Sequence, residues 1–413
     1  MITTQLDLRG SKNSGEPSSV ANAGAGASLG SLRARSIVAS VADRGKSNGI
    51  RAVRLREASC QDYVAIATLQ SKYNLQVKSF EEWKHLWCNN PAYSEPFAIG
   101  WVLEADKQTI VGYLGNIPLF YELDGRTLLA SVAHSWVAES EYRSYSPLLL
   151  EQYFSQRNVD LFLNATVGSL ASQAFAAFRS LPIPVGAWDR SAFWITNYQG
   201  FSANWLVMRK FPLVTSLSYV LGAGLLLKDK LSRKRVPSEC KANLRQCTSI
   251  DSRFEEFWQV LRKRNSNVLM GIRSRQALQW HFGYALQQNN AWIVTADKGP
   301  DITGYAIFQR YDNPKLGLHR VRLVDFQTLD GNTALLEPML YWALSKCRRE
   351  GIHMLECIGL DAKKREVISR SSPHVRKLPC WLYYYKAREP NLAKKLGDPN
   401  VWDPSQFDGD ASL

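Results

Sequence analysis

From Arg51 onward the apolar residues recur with two alternating periods. RAVRLREA (Arg51–Ala58) alternates as a strand does, and Cys60–Tyr73 keeps the spacing of a helix. A second helix is expected at Ser79–Cys88, where Ser79 with Glu82 three residues later makes a capping box. Strands follow at Phe97–Glu104, Thr109–Leu123 and Thr127–Ala138, with Asp124-Gly125 as the hairpin turn. Next come a helix at Pro147–Gln156, a strand at Val159–Ala165, a helix at Ser169–Ser180 and a closing strand pair within Pro184–Tyr198.

The order then repeats. Lys241–Ile250 reads as a strand, and Ser252–Arg264 and Ser274–Tyr284 as helices. Trp292–Ala296, Ile302–Tyr311 and His319–Leu329 are strands, Ala334–Glu350 a helix, and Ile352–Ile358 and Trp381–Lys386 strands. One hairpin is written almost twice, as GWVLEADKQTIVGY (Gly100–Tyr113) and AWIVTADKGPDITGY (Ala291–Tyr305), at the same place in each half. The pattern predicts a duplicated α+β fold of two mixed, mostly antiparallel sheets flanked by helices.

Between the repeats, Phe211–Leu227 (FPLVTSLSYVLGAGLLL) carries no charge and is flanked by Arg209-Lys210 and by Lys228, Lys230 and Arg233-Lys234-Arg235. Its 17 residues reach only the lower limit for spanning a bilayer, and Pro, Gly, Ser and Thr dilute it. Two readings stay open: a linker helix packed between the repeats, or an interfacial helix on anionic membrane over 211–235. The organisation expected is therefore a disordered tail (1–50), an N-terminal unit (51–205), an apolar then basic linker (206–240), a C-terminal degenerate unit (241–390) and a tail (391–413).

Composition adds a sign. The 413 residues carry a net charge of +14, which favours anionic partners. The seven cysteines form no CxxC, and no histidine pair has zinc spacing, so neither a metal nor a disulfide framework is expected and a reducing, cytoplasmic setting fits. The first fifty residues have no apolar core of a signal peptide.

The element order resembles the GNAT (GCN5-related N-acetyltransferase) superfamily over residues 51–200 and 241–386. Bacterial tandem acyltransferases of that type resemble the chain also in WKHLWCNNP (Trp83–Pro91) and in VWDPSQFDGD (Val401–Asp410). The resemblance implies an acyl-CoA-dependent N-acyltransferase, using acetyl-CoA or another acyl-CoA and no metal. The acceptor implied is an amino sugar, an amino acid or another small amine.

In that superfamily a loop after the fourth strand, Arg/Gln-x-x-Gly-x-Gly/Ala, cradles the pyrophosphate on backbone N–H groups at a helix start. The matching stretch is VAESEYRSYSPLLL (Val137–Leu150). Arg143 takes the arginine position, Ser146 stands where the first glycine belongs, and Leu148 stands where the second small residue belongs. Serine keeps the approach to phosphate partly open and leucine crowds it. The resemblance then implies cofactor contacts from Val137, Ala138, Arg143, Ser144, Tyr145, Ser146 and Asn164. Asn164 reads equally as a cap for the following helix. TLDGNTALL (Thr328–Leu336), the counterpart loop, is shorter, lacks the arginine and puts Asp330 where phosphate would sit.

Amine acylation needs a base and an acid. His134, Glu139 and Glu141 are the candidate bases near the fourth strand; His134 reads also as a structural core histidine. The superfamily's usual acid is a tyrosine in the helix after the fifth strand, where this chain has Phe175 and Phe178, leaving Tyr145 as the substitute. Two other functions remain open. A FemAB-like aminoacyl transferase fed by tRNA suits the basic charge, and a catalytically silent binding protein suits the missing glycines.

Overall fold

The computed structural model describes residues 38–39, 53–106, 109–231 and 243–413. The tail expected over 1–50 thus lies outside the described residues except for Val38 and Ala39, as does the basic run Arg233-Lys234-Arg235.

Strand β1 (Val38–Ala39) and β2 (Val53–Glu57) precede helices α1 (Tyr63–Lys72) and α2 (Phe80–Cys88). The capping box of α2 forms: Glu82 N–H donates to Ser79 Oγ at 3.3 Å, and Ser79 N–H donates to the Glu82 carboxylate at 2.9 Å. A meander follows, β3 (Gly100–Ala105), β4 (Thr109–Leu123) and β5 (Arg126–Ala138). Its β4–β5 turn holds Asp124 and Gly125 at φ of +54° and +71°, the left-handed pair that a tight hairpin requires. Then come α3 (Ser146–Ser155), β6 (Leu161–Gly168), α4 (Ser169–Ala177), β7 (Leu181–Pro182), β8 (Arg190–Ile195) and a helical hairpin, α5 (Tyr198–Met208) and α6 (Val214–Leu231).

The repeat comprises β9 (Leu244–Cys247), α7 (Ser252–Arg264), β10 (Met270–Gly271), α8 (Arg275–Gln287), β11 (Ala291–Lys298), β12 (Asp301–Arg310), β13 (Arg320–Thr328), α9 (Leu336–Arg349) and β14 (Met354–Ile358). Helix α10 (Ala362–Ser371), β15 (His374–Lys377), β16 (Cys380–Ala387) and α11 (Pro390–Lys395) follow. The echoed hairpins are β3–β4 and β11–β12. Each shifts register near its turn, at Leu103/Glu104 and at Ala296/Asp297.

These elements build two mixed sheets. The first runs β1-β2-β3-β4-β5-β6-β16-β7, with β10 on β4; the second runs β15-β8-β14-β13-β12-β11-β9. All neighbours are antiparallel except β5–β6 and β13–β14. The first sheet is packed by α1 and α2 on one face and by α3 and α4 on the other. The second sits between α7–α8 and α9–α10.

Three expectations need correction. The strand within Pro184–Tyr198 does not close the first sheet: β8 pairs with β14 and β15 in the second. Reciprocally, β16 pairs with β6 in the first sheet. The halves exchange their last strands, because alternation marks a strand but not the edge on which it will pair. Nor is the linker helix packed between the repeats. Only Ser218 and Gly222 of α6 are buried, and Gly222 closes onto α5.

Residues 391–413, expected as a tail, turn inward. Residues 401–412 are almost all buried, with Ser405, Gln406, Asp408 and Asp410 among them. Polar composition disguised this stretch, whose polar groups bury by pairing with one another and with the sheets.

His281 on α8 is part of that interior, with Nε2 2.8 Å from Ser412 Oγ and its ring 4.8 Å from that of Phe407. Burial pushes its imidazole down from 6.5 to about 3. Between those values the unfolded chain binds a proton that the folded chain refuses, so this contribution is complete above pH 6.5 and falls as the pH drops. Urea midpoints should therefore decline between pH 6.5 and 5, and His281→Gln should flatten that decline.

Candidate functional site

The site begins where two parallel strands part. β5 and β6 pair only at Ala130–Leu161, Ser131–Phe162 and Val132–Leu163. Immediately beyond, β5 bulges: Gly115 faces His134 and Tyr113 faces Val137, so Ser135 and Trp136 together oppose Leu114. Ser135 sits at φ +55° to make that bulge. An extra residue twists a strand away from its neighbour, and β5 and β6 diverge, leaving backbone groups on their facing edges without ladder partners.

The second sheet repeats the device. β13 and β14 pair from Arg320–Met354 to Leu323–Cys357, and β13 then bulges at Val324. There the gap is closed from within the chain. Phe407 N–H donates to Val324 O, Gln406 Nε2 to Leu323 O, and Ser405 Oγ to Asp325 Oδ1.

The same stretch continues to the first gap. Thr166 Oγ1 on β6 donates to both Asp410 oxygens at 3.1 and 3.2 Å, and His134 Nδ1 lies 3.6 Å from Asp410 Oδ2. Gly409 makes this possible: its φ is +121°, and a Cβ there would meet Ala165 Cβ at 2.7 Å. Residues 403–410 thus bridge both openings.

At the first opening three consecutive residues, His134, Ser135 and the partly buried Trp136, keep a shielded polar atom without a hydrogen bond: Nδ1, Oγ and Nε1. A buried polar atom left unpaired costs about 1–3 kcal/mol, and of these three only His134 Nδ1 faces a charged group, Asp410.

The other expected residues divide. Val137 and Ala138 end β5 beside the gap, paired on their far side with Tyr113 and Gly112. Asn164 is the first β6 residue past the last parallel pair, buried and set opposite Tyr384 of β16. It does not cap the next helix, since Gly168 holds that position. Arg143 and Ser144 are exposed on a 3-10 turn, Ser140–Tyr145, leading into α3. Ser146 opens α3, and its hydroxyl donates to Arg143 O. Tyr145 packs into the α3 core, and Leu148 packs against the same cluster.

Of the candidate bases, only His134 lies in the gap. Glu139 receives both Lys72 Nζ, at 2.7 Å to each oxygen, and Tyr73 OH at 2.8 Å. Partial burial pushes this carboxyl up, but those hydrogen bonds outweigh it and hold it below its ordinary value. Its role is to tie α1 to the end of β5; Tyr73 OH also accepts from Ser140 N–H. Glu141 is exposed on the 3-10 turn.

Asp410 and Thr166 were not foreseen from the sequence. VWDPSQFDGD, which resembles tandem acyltransferases, holds Asp410, but nothing local aims that side chain at β6.

A groove of about 1450 Å³ lies on the α2 side, between α2, α8 and the loop after β12. His85 and Trp280 tie its walls, each side chain bonded to the other's backbone carbonyl at 2.8 and 2.9 Å. The groove runs from Lys315 and Met208 inward to Ser412, two residues from Asp410.

A bulged fourth strand, a V-shaped opening to the fifth and a helix start at its mouth define a GNAT-type fold built on two sheets. Two solved structures illustrate the likeness. Saccharomyces cerevisiae N-myristoyltransferase with bound myristoyl-CoA superposes at TM-score 0.54, with 11% identity over 84% of this chain and 81% of that one. A GCN5-related N-acetyltransferase from Kribbella flavida superposes at 0.50, with 7% identity over 82% and 71%. The chain has the fold of the GNAT N-acyltransferases. No family model matches its sequence, and no curated protein matches it.

Proposed function

We propose that the chain is an acyl-CoA-dependent N-acyltransferase whose reaction takes place in the opening between β5 and β6. The observation that carries this is the bulge at Ser135 where two parallel strands part, which sets His134 Nδ1 3.6 Å from Asp410 Oδ2. The fold, shared with proteins such as the myristoyl-CoA-bound N-myristoyltransferase, supports the same reading.

The β5 backbone at Val137 and Ala138, with Asn164 across the gap, would hold the pantetheine arm. Arg143, Ser144 and Ser146 at the start of α3 would meet the pyrophosphate, aided by the positive end of the helix. The amine acceptor, a small molecule or a peptide, reaches the thioester along the groove.

Asp410, held by Thr166, faces His134 Nδ1 and orients the ring, which leaves Nε2 to take a proton from the acceptor's ammonium. The freed amine nitrogen bonds to the acyl carbon as the carbon–sulfur bond breaks, and the departing thiolate takes up a proton. Tyr145, within the pyrophosphate loop and packed in the α3 core, keeps the acid role as part of this proposal. Neither Phe175 nor Phe178 offers a proton.

Arg143→Glu tests the placement. Reversing one charge at a pyrophosphate contact should weaken coenzyme A binding by more than about tenfold, since a charge-assisted bond contributes roughly 1.5–3 kcal/mol. Calorimetric titration of parent and variant with acetyl-CoA, a longer acyl-CoA and free coenzyme A reads the effect. Unchanged affinity rejects the site. A parent chain that binds no acyl-CoA but retains tRNA on a filter rejects the donor in favour of an aminoacyl-tRNA.

A further inference from the structure

We infer that the α5–α6 hairpin is a docking surface for an anionic lipid bilayer. Its packing is inverted relative to a helix made for water. The face of α6 turned toward the protein carries Ser218 and Gly222, and Gly222 lets α6 close onto the α5 backbone, where a Cβ would lie 3.1 Å from Tyr198 and Gln199. The large apolar side chains point away: Leu213 is 75% exposed, Val220 71%, Leu231 70% and Tyr219 59%. A helix folded against its own protein ordinarily turns that set inward.

The tip between the helices has the same character. Trp205 and Phe211 stack at 6.0 Å, and the Arg209 guanidinium lies 5.7 Å over the Trp205 ring. Val207 and Met208 are exposed beside them. An exposed aromatic pair with cations around it matches the boundary between acyl chains and headgroups.

Charge selects the kind of surface. Arg209, Lys210, Lys228 and Lys230 are all exposed. Asp229, the lone acid of α6, is turned inward, accepting from Tyr198 OH at 2.9 Å and lying 3.0 Å from His374 Nε2. The outward-facing charges over 198–231 are therefore all positive, and such segments are drawn to anionic headgroups. No helix among the described residues is long and apolar enough to cross a membrane, so the hairpin lies on the surface. Met208 also lines the groove. On the acyltransferase reading, this brings a lipid-bearing substrate or product within reach of the site; the docking itself does not depend on that reading.

Co-sedimentation of the full chain with vesicles decides it. Binding to phosphatidylcholine vesicles containing phosphatidylglycerol should exceed binding to pure phosphatidylcholine by at least about tenfold at low salt, and salt should weaken it. Leu213→Ser with Val220→Ser should cut vesicle binding by about tenfold or more without moving the melting temperature, since both side chains are over 70% exposed. Arg209→Glu with Lys210→Glu should abolish the preference for the anionic lipid. A parent chain that stays in the supernatant at every composition overturns the inference. So does one that self-associates through this face, its dimer lost on the same serine substitutions.

Discussion

Arg273→Ala is expected to lower the stability of the chain by about 3–5 kcal/mol, the usual consequence of removing one partner from a buried ion pair. The guanidinium is wholly buried and grips Asp325 in two places, Nε to Oδ2 at 2.8 Å and Nη2 to Oδ1 at 3.1 Å. It also donates to Asp408 Oδ2 at 3.1 Å, to Gly271 O at 2.8 Å and to Ser405 Oγ at 3.3 Å, with its plane 4.6 Å from the Phe407 ring. Two acids from distant parts of the chain thus share one cation. Burial pushes both carboxyls up; at Asp325 the arginine outweighs it and holds the group below its ordinary value, while Asp408 stays above.

Without the guanidinium, two buried carboxylates face one another and residues 405–408 lose their hold on β13. Chemical denaturation at neutral pH reads the loss. The deficit should shrink in acid, because in the parent the arginine holds Asp325 below its ordinary value, whereas without it burial alone acts on both acids and protonation relieves the variant more. Arg273→Lys should recover part of it, since an ammonium cannot reproduce the two-pronged contact. A deficit below about 1 kcal/mol for the alanine variant would mean that the cluster holds nothing in place.

The second large effect is on rate. His134→Ala should lower kcat by about a hundredfold or more while leaving coenzyme A affinity nearly intact, as removal of a base for the chemical step does. Asp410→Asn should lower kcat less, because Thr166 can still hold the residue in place and the ring keeps its nitrogen. Steady-state rates with calorimetric affinity separate the two quantities. An alanine variant acylating at the parental rate would make His134 a core residue and move the proton to a water chain.

How far the site could be read in advance differs residue by residue. His134, Val137, Ala138 and Asn164 come from the resemblance to the GNAT superfamily, laid onto strands that alternation reveals. Their facing was not legible, since a bulge at Ser135 reverses the alternation, and nothing in SVAHSWVAE marks which residue takes positive φ. Glu139 was a reasonable base from position alone; its pairing with Lys72 and Tyr73 comes from an α1 contact about 67 residues away in sequence. Asp410 is not legible as a site residue because DPSQFDGDASL has the composition of a loop.

The sequence by itself determined the elements and their repetition. Spacing of 2 and 3.6 residues, the Ser79–Glu82 capping box, the Asp124-Gly125 turn and the doubled hairpin are all local, set by contacts within a few residues. Only the tertiary structure decided which strand lies beside which. β8 and β16 crossed to each other's sheet, residues 403–410 entered both strand openings, and α6 turned its small face inward. Each outcome rests on pairing between residues far apart in the chain, where many edges offer the same backbone hydrogen bonds and the choice falls to the packing of the whole.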